Sequence, residues 1–401
     1  MRTPNFHKLN IVTLTVTHFF WGFVNFVFRI QIQPYLLSIY GTTTVAAQIL
    51  GLILSIGTLS AVFPLIMAFI ADFYGRKNLI IFGQVLSVIG LIGLSTSNIF
   101  ALLLGIIAFN LGTGFYDAPL QGLIYESSIE KRGLAFSIVY NSGYLAGIIA
   151  SLTIQEGTTG YISYFQIGFF LIAIAGLLNI IALRDVVPNS KKISFPIARI
   201  LKDRTSRLTA ITFALDAFIW GLPLTIANGI FIILFGVDVS FIATLTLIET
   251  IVLVLLANPA GLIVDRFGRV VGLICGEVIG FMWIFFILAA ITIPSMAPNL
   301  LILAYAFLGA VVAFWRPSVT LSFISIDPSA ASTNFGILAF FQRLGRVPSA
   351  AVAGFLFSIV GFPPLLYITF LGTLIVIAVF IHMDKIEKEQ NFKGNITTTT
   401  L

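Results

Sequence analysis

Gly261-Leu262-Ile263-Val264-Asp265-Arg266-Phe267-Gly268-Arg269 is a short charged stretch between two long apolar runs, and it has an echo 193 positions earlier, Ala68-Phe69-Ile70-Ala71-Asp72-Phe73-Tyr74-Gly75-Arg76-Lys77. Each follows the second apolar run of its half. Glycine in such a place lets a chain reverse tightly. An aspartate at the C-terminal end of a helix opposes that helix's own dipole and calls for a cationic partner, which Arg76 and Arg269, four residues on, can supply. Two such turns predict a duplicated unit.

The composition says where that unit sits. Of 401 residues, 58% are hydrophobic and 9% are charged, whereas a soluble domain carries about 25% charged residues. No soluble fold hides that much apolar surface, so the chain reads as a polytopic membrane protein with the lipid bilayer as its main partner. Taking roughly 20 residues per crossing, apolar runs fall at 10–38, 44–71, 78–97, 99–125, 134–155, 161–184, 208–236, 240–264, 270–293, 299–326, 333–361 and 363–383. The expected fold is all-α, with twelve transmembrane helices in two pseudo-symmetric bundles of six. Segments of about ten residues alternating apolar and polar, the mark of a membrane barrel, are missing. The domains expected are residues 1–184, a polar linker 185–207, a second bundle 208–383 and a tail 384–401.

The net charge of +6 is a topology signal and does not point to nucleic acid. Arg2, Lys8, Arg76, Lys77, Lys131, Arg132, the linker, Arg266, Arg269, Lys385, Lys388 and Lys393 all fall on one side of the spans. The loops near Gly41, Asn98, Gly157, Gly236, Pro294 and Gly361, on the other side, contain no lysine or arginine. The positive-inside rule then makes this a multi-pass cell membrane protein with both termini cytoplasmic. The first run is too long, and lacks the cleavage site, to be a removed signal peptide. Cys275 stands alone, so no intrachain disulfide is possible.

The halves match beyond the turns. Trp21-Gly22 corresponds to Trp220-Gly221, and Phe115-Tyr116-Asp117-Ala118-Pro119 to Ala313-Phe314-Trp315-Arg316-Pro317. Parallel repeats of this kind place a small-molecule substrate near the midplane between the halves, with alternating access by rocking.

With its twelve spans, central basic linker and two charged turns, the chain resembles the major facilitator superfamily of secondary transporters. The family signature G-x-x-x-D-R-x-G-R-[RK] is nearly complete at Gly261–Arg269 and weaker at Ala68–Lys77, where Ala68 and Phe73 replace a glycine and an arginine. The resemblance implies that Asp72 faces the start of span eleven and Asp265 the start of span five. Asp72, Gly75, Arg76, Gly261, Asp265, Gly268 and Arg269 would then form conformational latches, with Glu126 a further member of the charge relay and Asp327 its repeat. It also places spans one, four, seven and ten around the central cavity and favours a monomer.

Ionisable residues at membrane depth are costly and usually mark function. Arg29, Asp117, Asp216, Glu249, Arg316, Arg343 and Arg346 lie within the apolar runs. Asp117 is the best proton carrier, because an apolar span favours the protonated carboxyl and a nearby arginine the ionised one. Asp216 is the second candidate, or else a solvated residue near a helix start; Glu249 is the third, or else a lateral ion-pair partner. Arg29 either snorkels to the nearer surface or binds substrate with Arg316, Arg343 and Arg346. Arg343 and Arg346, three apart with Gln342 beside them, share a helical face. Asn25, Trp21, Tyr116, Asn141 and Trp315 could complete the pocket, although aromatics in membrane helices more often pack or line the interface.

No phosphate-binding loop, Cys/His cluster or paired aspartate-rich motif is present, so no cofactor, metal, ATP-driven step or enzymatic reaction is expected. The expected function is secondary active transport of a small organic solute, favoured to be an anion by four arginines against three acids and coupled to H⁺. An exporter of lipophilic or cationic compounds is the alternative, although the Gly-Pro motif of drug antiporters is missing from span five. A non-transporting receptor of the same fold is more remote.

Overall fold

The computed structural model describes residues 4–60, 63–96, 98–128, 132–155, 160–185, 204–324 and 331–398. Among them the regular elements are helical, as a bilayer requires, because helices satisfy their own backbone groups. Spans one, three, four, five and six are Pro4–Tyr40, Lys77–Leu94, Ile99–Ser127, Arg132–Gln155 and Tyr161–Ala182. Spans eight to twelve are Val239–Phe267, Arg269–Thr292, Ala297–Ile324, Ala331–Val360 and Pro363–Thr398.

Spans two and seven, expected as single runs, are each built from two helices. Span two is Thr44–Ser60 and Pro64–Tyr74, and the second helix opens on Pro64, the position where a missing N–H costs nothing. Span seven is Arg204–Leu224 and Ala227–Phe235, separated just past Pro223. Span eleven, by contrast, runs unbroken through Pro348. Among the described residues, eleven stretches are long and apolar enough to cross a membrane, and span two adds the shorter apolar helix Thr44–Leu59.

Local chemistry ends the helices where polar residues interrupt the apolar runs. The Asn98 side chain accepts from the amides of Phe100 and Ala101 at 2.9 and 3.2 Å, and Asp238 accepts from Phe241 at 2.8 Å. Both are N-caps. The charged turns pass through Gly75 at φ 102° and Gly268 at φ 94°, a region closed to side chains with a Cβ except at some cost.

The duplication is visible in the packing. Span three lies along span four as span nine lies along span ten, and span one packs on five and six as span seven packs on eleven and twelve. The halves meet mainly where span two runs along span eleven and span five along span eight. Polar groups stitch this seam: Ser55 Oγ donates to Val347 O at 2.6 Å, and Gln48 Nε2 to Ser358 Oγ at 2.5 Å. Gln155 Nε2 donates to Thr244 Oγ1 at 2.9 Å, while Gln33 Oε1 accepts from the Gly229 amide at 2.7 Å. The linker falls largely on 186–203, outside the described residues.

Candidate functional site

The turn at Asp72 is closed over by the opposite half. Arg76 Nη2 donates to Asp72 Oδ1 at 2.6 Å, its Nη1 is paired with Glu126, and its Nε donates to Ser332 Oγ at 2.6 Å. Asp72 Oδ2 accepts from the amide and hydroxyl of Thr333 at 2.8 and 2.5 Å. The carboxylate thereby caps the first turn of span eleven, where the helix dipole favours negative charge. Asp72 and Arg76 are each 3% exposed. Behind them, Asp185 Oδ1 accepts from the amides of Arg76 and Lys77 at 2.7 and 2.8 Å, holding the start of span three.

The equivalent turn of the second half is in the open. Asp265 and Gly268 are exposed and Gly261 is half-buried. Among the described residues Asp265 has neither an ion pair nor a side-chain hydrogen bond. The stretch before span five, 129–131, and that holding Asp327, 325–330, lie outside the described residues.

Between the ends, the interior charges meet across the seam. Arg29 of span one donates through Nη2 to Glu249 Oε2 of span eight at 2.6 Å. The Glu249 side chain is 5% exposed and that of Arg29 46%, so the carboxylate is enclosed while the guanidinium keeps a wet face. Arg343 of span eleven faces Asp117 of span four at 3.6 Å, too long for a hydrogen bond and loose enough to be exchanged. The guanidinium of Arg316, on span ten, lies 4.6 Å above the Tyr140 ring and 5.3 Å from that of Tyr144. That is cation–π geometry. Arg346 is exposed, and its charged neighbours are Asp216, Arg343 and Arg29. Arg316 and Arg346 are exposed at mid-helix, a placement that membrane proteins ordinarily reconcile with a partner or a water-filled cavity.

The remaining predicted pocket residues separate into two groups. Trp21 and Tyr116 stack on one another at 4.0 Å and are buried within the first half. Asn25 spends its amide on the Trp21 carbonyl at 3.0 Å, and Asn141 on Ser137 Oγ at 3.2 Å. Gln342 and Trp315 lie nearer the arginines; Gln342 Nε2 is enclosed without a hydrogen-bond partner, and Trp315 lies close to Glu277.

Five contributors escaped the sequence reading. Ser332, Thr333 and Asp185 are ordinary polar residues at helix ends, and nothing local marks them as partners of the Asp72 turn. Gly122 is needed there, since a Cβ would stand 1.9 Å from Ser332 Oγ and 2.5 Å from Arg76 Nε. The fifth omission, Glu277, had a signal: it is a carboxyl within the apolar run of span nine, and it is 1% exposed.

Comparison with known proteins agrees with this geometry. The family model described as Major Facilitator Superfamily matches residues 14–205. A protein of Buchnera aphidicola subsp. Schizaphis graminum (strain Sg), described as an uncharacterized transporter, is 28% identical over 195 residues. That match spans 46% of this chain and 48% of the relative, so it reaches about half the length of each. Among solved structures, the human organic anion transporter MFSD10 (TETRAN) superposes with a TM-score of 0.73 at 14% identity, over 93% of this chain and 99% of that one. A POT family transporter in complex with 5-aminolevulinic acid gives 0.71 at 15% identity, over 93% and 95%. The nucleoside transporter NupG gives 0.69 at 15% identity, over 93% and 99%. The family model matches residues 14–205, just under half of the chain, and the transporter folds superpose along nearly all of it, so the chain is similar in sequence over its first half, and in fold throughout, to transporters of the major facilitator superfamily.

Proposed function

We propose that the chain is a proton-coupled transporter of a small organic anion that works by alternating access. The observation that carries this reading is the group of guanidinium side chains, Arg316, Arg343 and Arg346, at mid-span on the second half, faced across the seam by Asp117 at 3.6 Å. Arginine presents a planar fork that matches a carboxylate bidentately. An anion entering the seam competes with Asp117 for Arg343, and protonation of Asp117 gives that place up. Glu249 and Arg29 already satisfy one another, which suits a gate between the halves better than a binding site. The fold relatives are named for peptides, an organic anion and nucleosides, so the choice of substrate falls to these side chains.

The moving parts in this reading are residues 1–184 and 208–383, joined by the linker 185–207 and rocking as a monomer in the cell membrane with both termini and the tail 384–401 in the cytoplasm. The Asp72, Gly75, Arg76 and Glu126 cluster latches the basic end shut. Gly261, Asp265, Gly268 and Arg269 form its counterpart, engaged in another state of the cycle. A cationic or lipophilic cargo is the weaker alternative, because Arg316 already covers the aromatic faces of Tyr140 and Tyr144.

A thermal-stabilisation screen of carboxylates, sugars, amino acids and lipophilic cations on the purified protein tests the substrate class. Carboxylates should stabilise, and Arg343→Gln should abolish the effect; stabilisation by lipophilic cations alone would reverse the assignment. Proteoliposome uptake of the stabilising carboxylate tests coupling. Flux indifferent to an imposed pH gradient would remove the proton from the mechanism.

A further inference from the structure

Span nine contributes a buried carboxyl, Glu277, within hydrogen-bonding reach of Asp216 on span seven. The two are 1% and 3% exposed. Their surroundings are specific. Trp220 Nε1 donates to Glu277 Oε2 at 2.7 Å, and the Trp315 indole of span ten lies close to Glu277 as well. Span eleven brings Arg346 near Asp216, and span twelve offers no charged side chain from Pro363 to Ile381. Asp216 Oδ1 is enclosed with no hydrogen-bond partner. Two carboxyl groups in mutual reach and away from water resist being ionised together, and they bond to each other only by sharing a proton. A metal cation is a poor occupant, since the Trp220 indole N–H and Arg346 present positive ends to the pair.

The repeat shows that the fold itself does not need acids here. At the register that relates Asp265 to Asp72, Glu277 corresponds to Gln84, and at the register of Trp220 and Trp21, Asp216 corresponds to Thr17. Gln84 is buried too, but it is neutral and accepts from Asn179 Nδ2 at 3.0 Å. One half therefore fills this place with an amide and the other with an acid pair.

We propose that Asp216 and Glu277 form a proton-binding pair, and that it is a second site, beside Asp117, through which H⁺ is coupled to the cargo. The coupling role rests on the transport reading above; the proton-binding role does not. With Glu277 included, the seam and its flank hold four arginines and four acids: Arg29, Arg316, Arg343 and Arg346 against Asp117, Asp216, Glu249 and Glu277. While the pair holds one proton, a single positive charge is left over for an anion. A proton released from the pair to water in the cavity cancels that excess and draws Arg346 toward Asp216, so proton and anion are held together and released together.

Infrared spectroscopy of the purified protein tests the pair without any solute, so its outcome is independent of whether the chain moves an anion. The stretching band of a protonated, hydrogen-bonded carboxyl should be present at neutral pH and lost on raising the pH. It should vanish in Glu277→Gln and in Asp216→Asn, and remain in Asp117→Asn and Glu249→Gln. Glu277→Gln restores the solution used in the first half and is expected to fold; where an amide variant does not, Glu277→Asp or Asp216→Glu should keep the band and displace it. Persistence of the band unchanged in these variants, its loss in Asp117→Asn, or its loss on replacing choline chloride with sodium chloride at constant pH would overturn the proposal.

Discussion

At Asp72–Arg76 and at Asp265–Arg269 the chain follows the same path: a helix ends, a glycine takes φ 102° or 94°, and the next helix begins. The surroundings are opposite. Asp72 is enclosed by Arg76 and the first turn of span eleven, whereas Asp265 is exposed. A turn with a conserved shape in both repeats is therefore not in itself a lock. It becomes one when a helix end from the other half supplies amide hydrogens to the carboxylate. The same lesson holds deeper in the bundles, where Gln84 and Glu277 occupy matching places and only one can hold a proton.

The comparison is best broken at its strong side. Asp72→Ala leaves Arg76 buried with one carboxylate fewer and the Thr333 amide uncapped, and removing one member of a buried pair costs about 3–5 kcal/mol. Thermal unfolding in detergent should show that loss. A smaller effect is expected at Arg29 and Glu249, whose guanidinium is half exposed and screened: Arg29→Gln should cost about 1–3 kcal/mol by stranding the enclosed carboxylate. Adding Glu249→Gln should restore most of it, and a double-mutant cycle reads the coupling directly.

The turn glycines sharpen the contrast further. Gly268→Ala should cost about 1–2 kcal/mol from its backbone angle alone. Gly75→Ala should cost more, since its Cβ would also stand 2.6 Å from the Asp185 carboxylate; equal losses would mean that the packing around Asp185 yields freely. The smallest effect belongs to Asp265→Ala, expected within about 0.5 kcal/mol as for an exposed substitution without partners. A loss as large as that of Asp72→Ala would show that the second turn is engaged in solution.

The spans were legible because the bilayer imposes a length and a composition that a sequence displays openly. Their breaks were less so: a helix restarting at Pro64 and one ending past Pro223 look continuous in hydropathy alone. Buried charges could be found one by one, but their partners could not. Arg29 and Glu249 stand 220 positions apart, Arg343 and Asp117 likewise far apart in the chain, and no local pattern links them. Glu277 too lies openly in an apolar run, but only the fold brings it from span nine to Asp216 on span seven.

By itself the sequence determined the class of the protein, its twelve apolar crossings, its internal repeat and the chemistry of its turns, since these depend on local composition and on spacing along the chain. The tertiary structure alone decided which charges face each other, which of the two turns is covered, and that one repeat holds an acid pair where the other holds an amide contact. Those outcomes depend on distances between helices far apart in sequence, and the energy of a buried charge is set by what lies within a few ångströms of it.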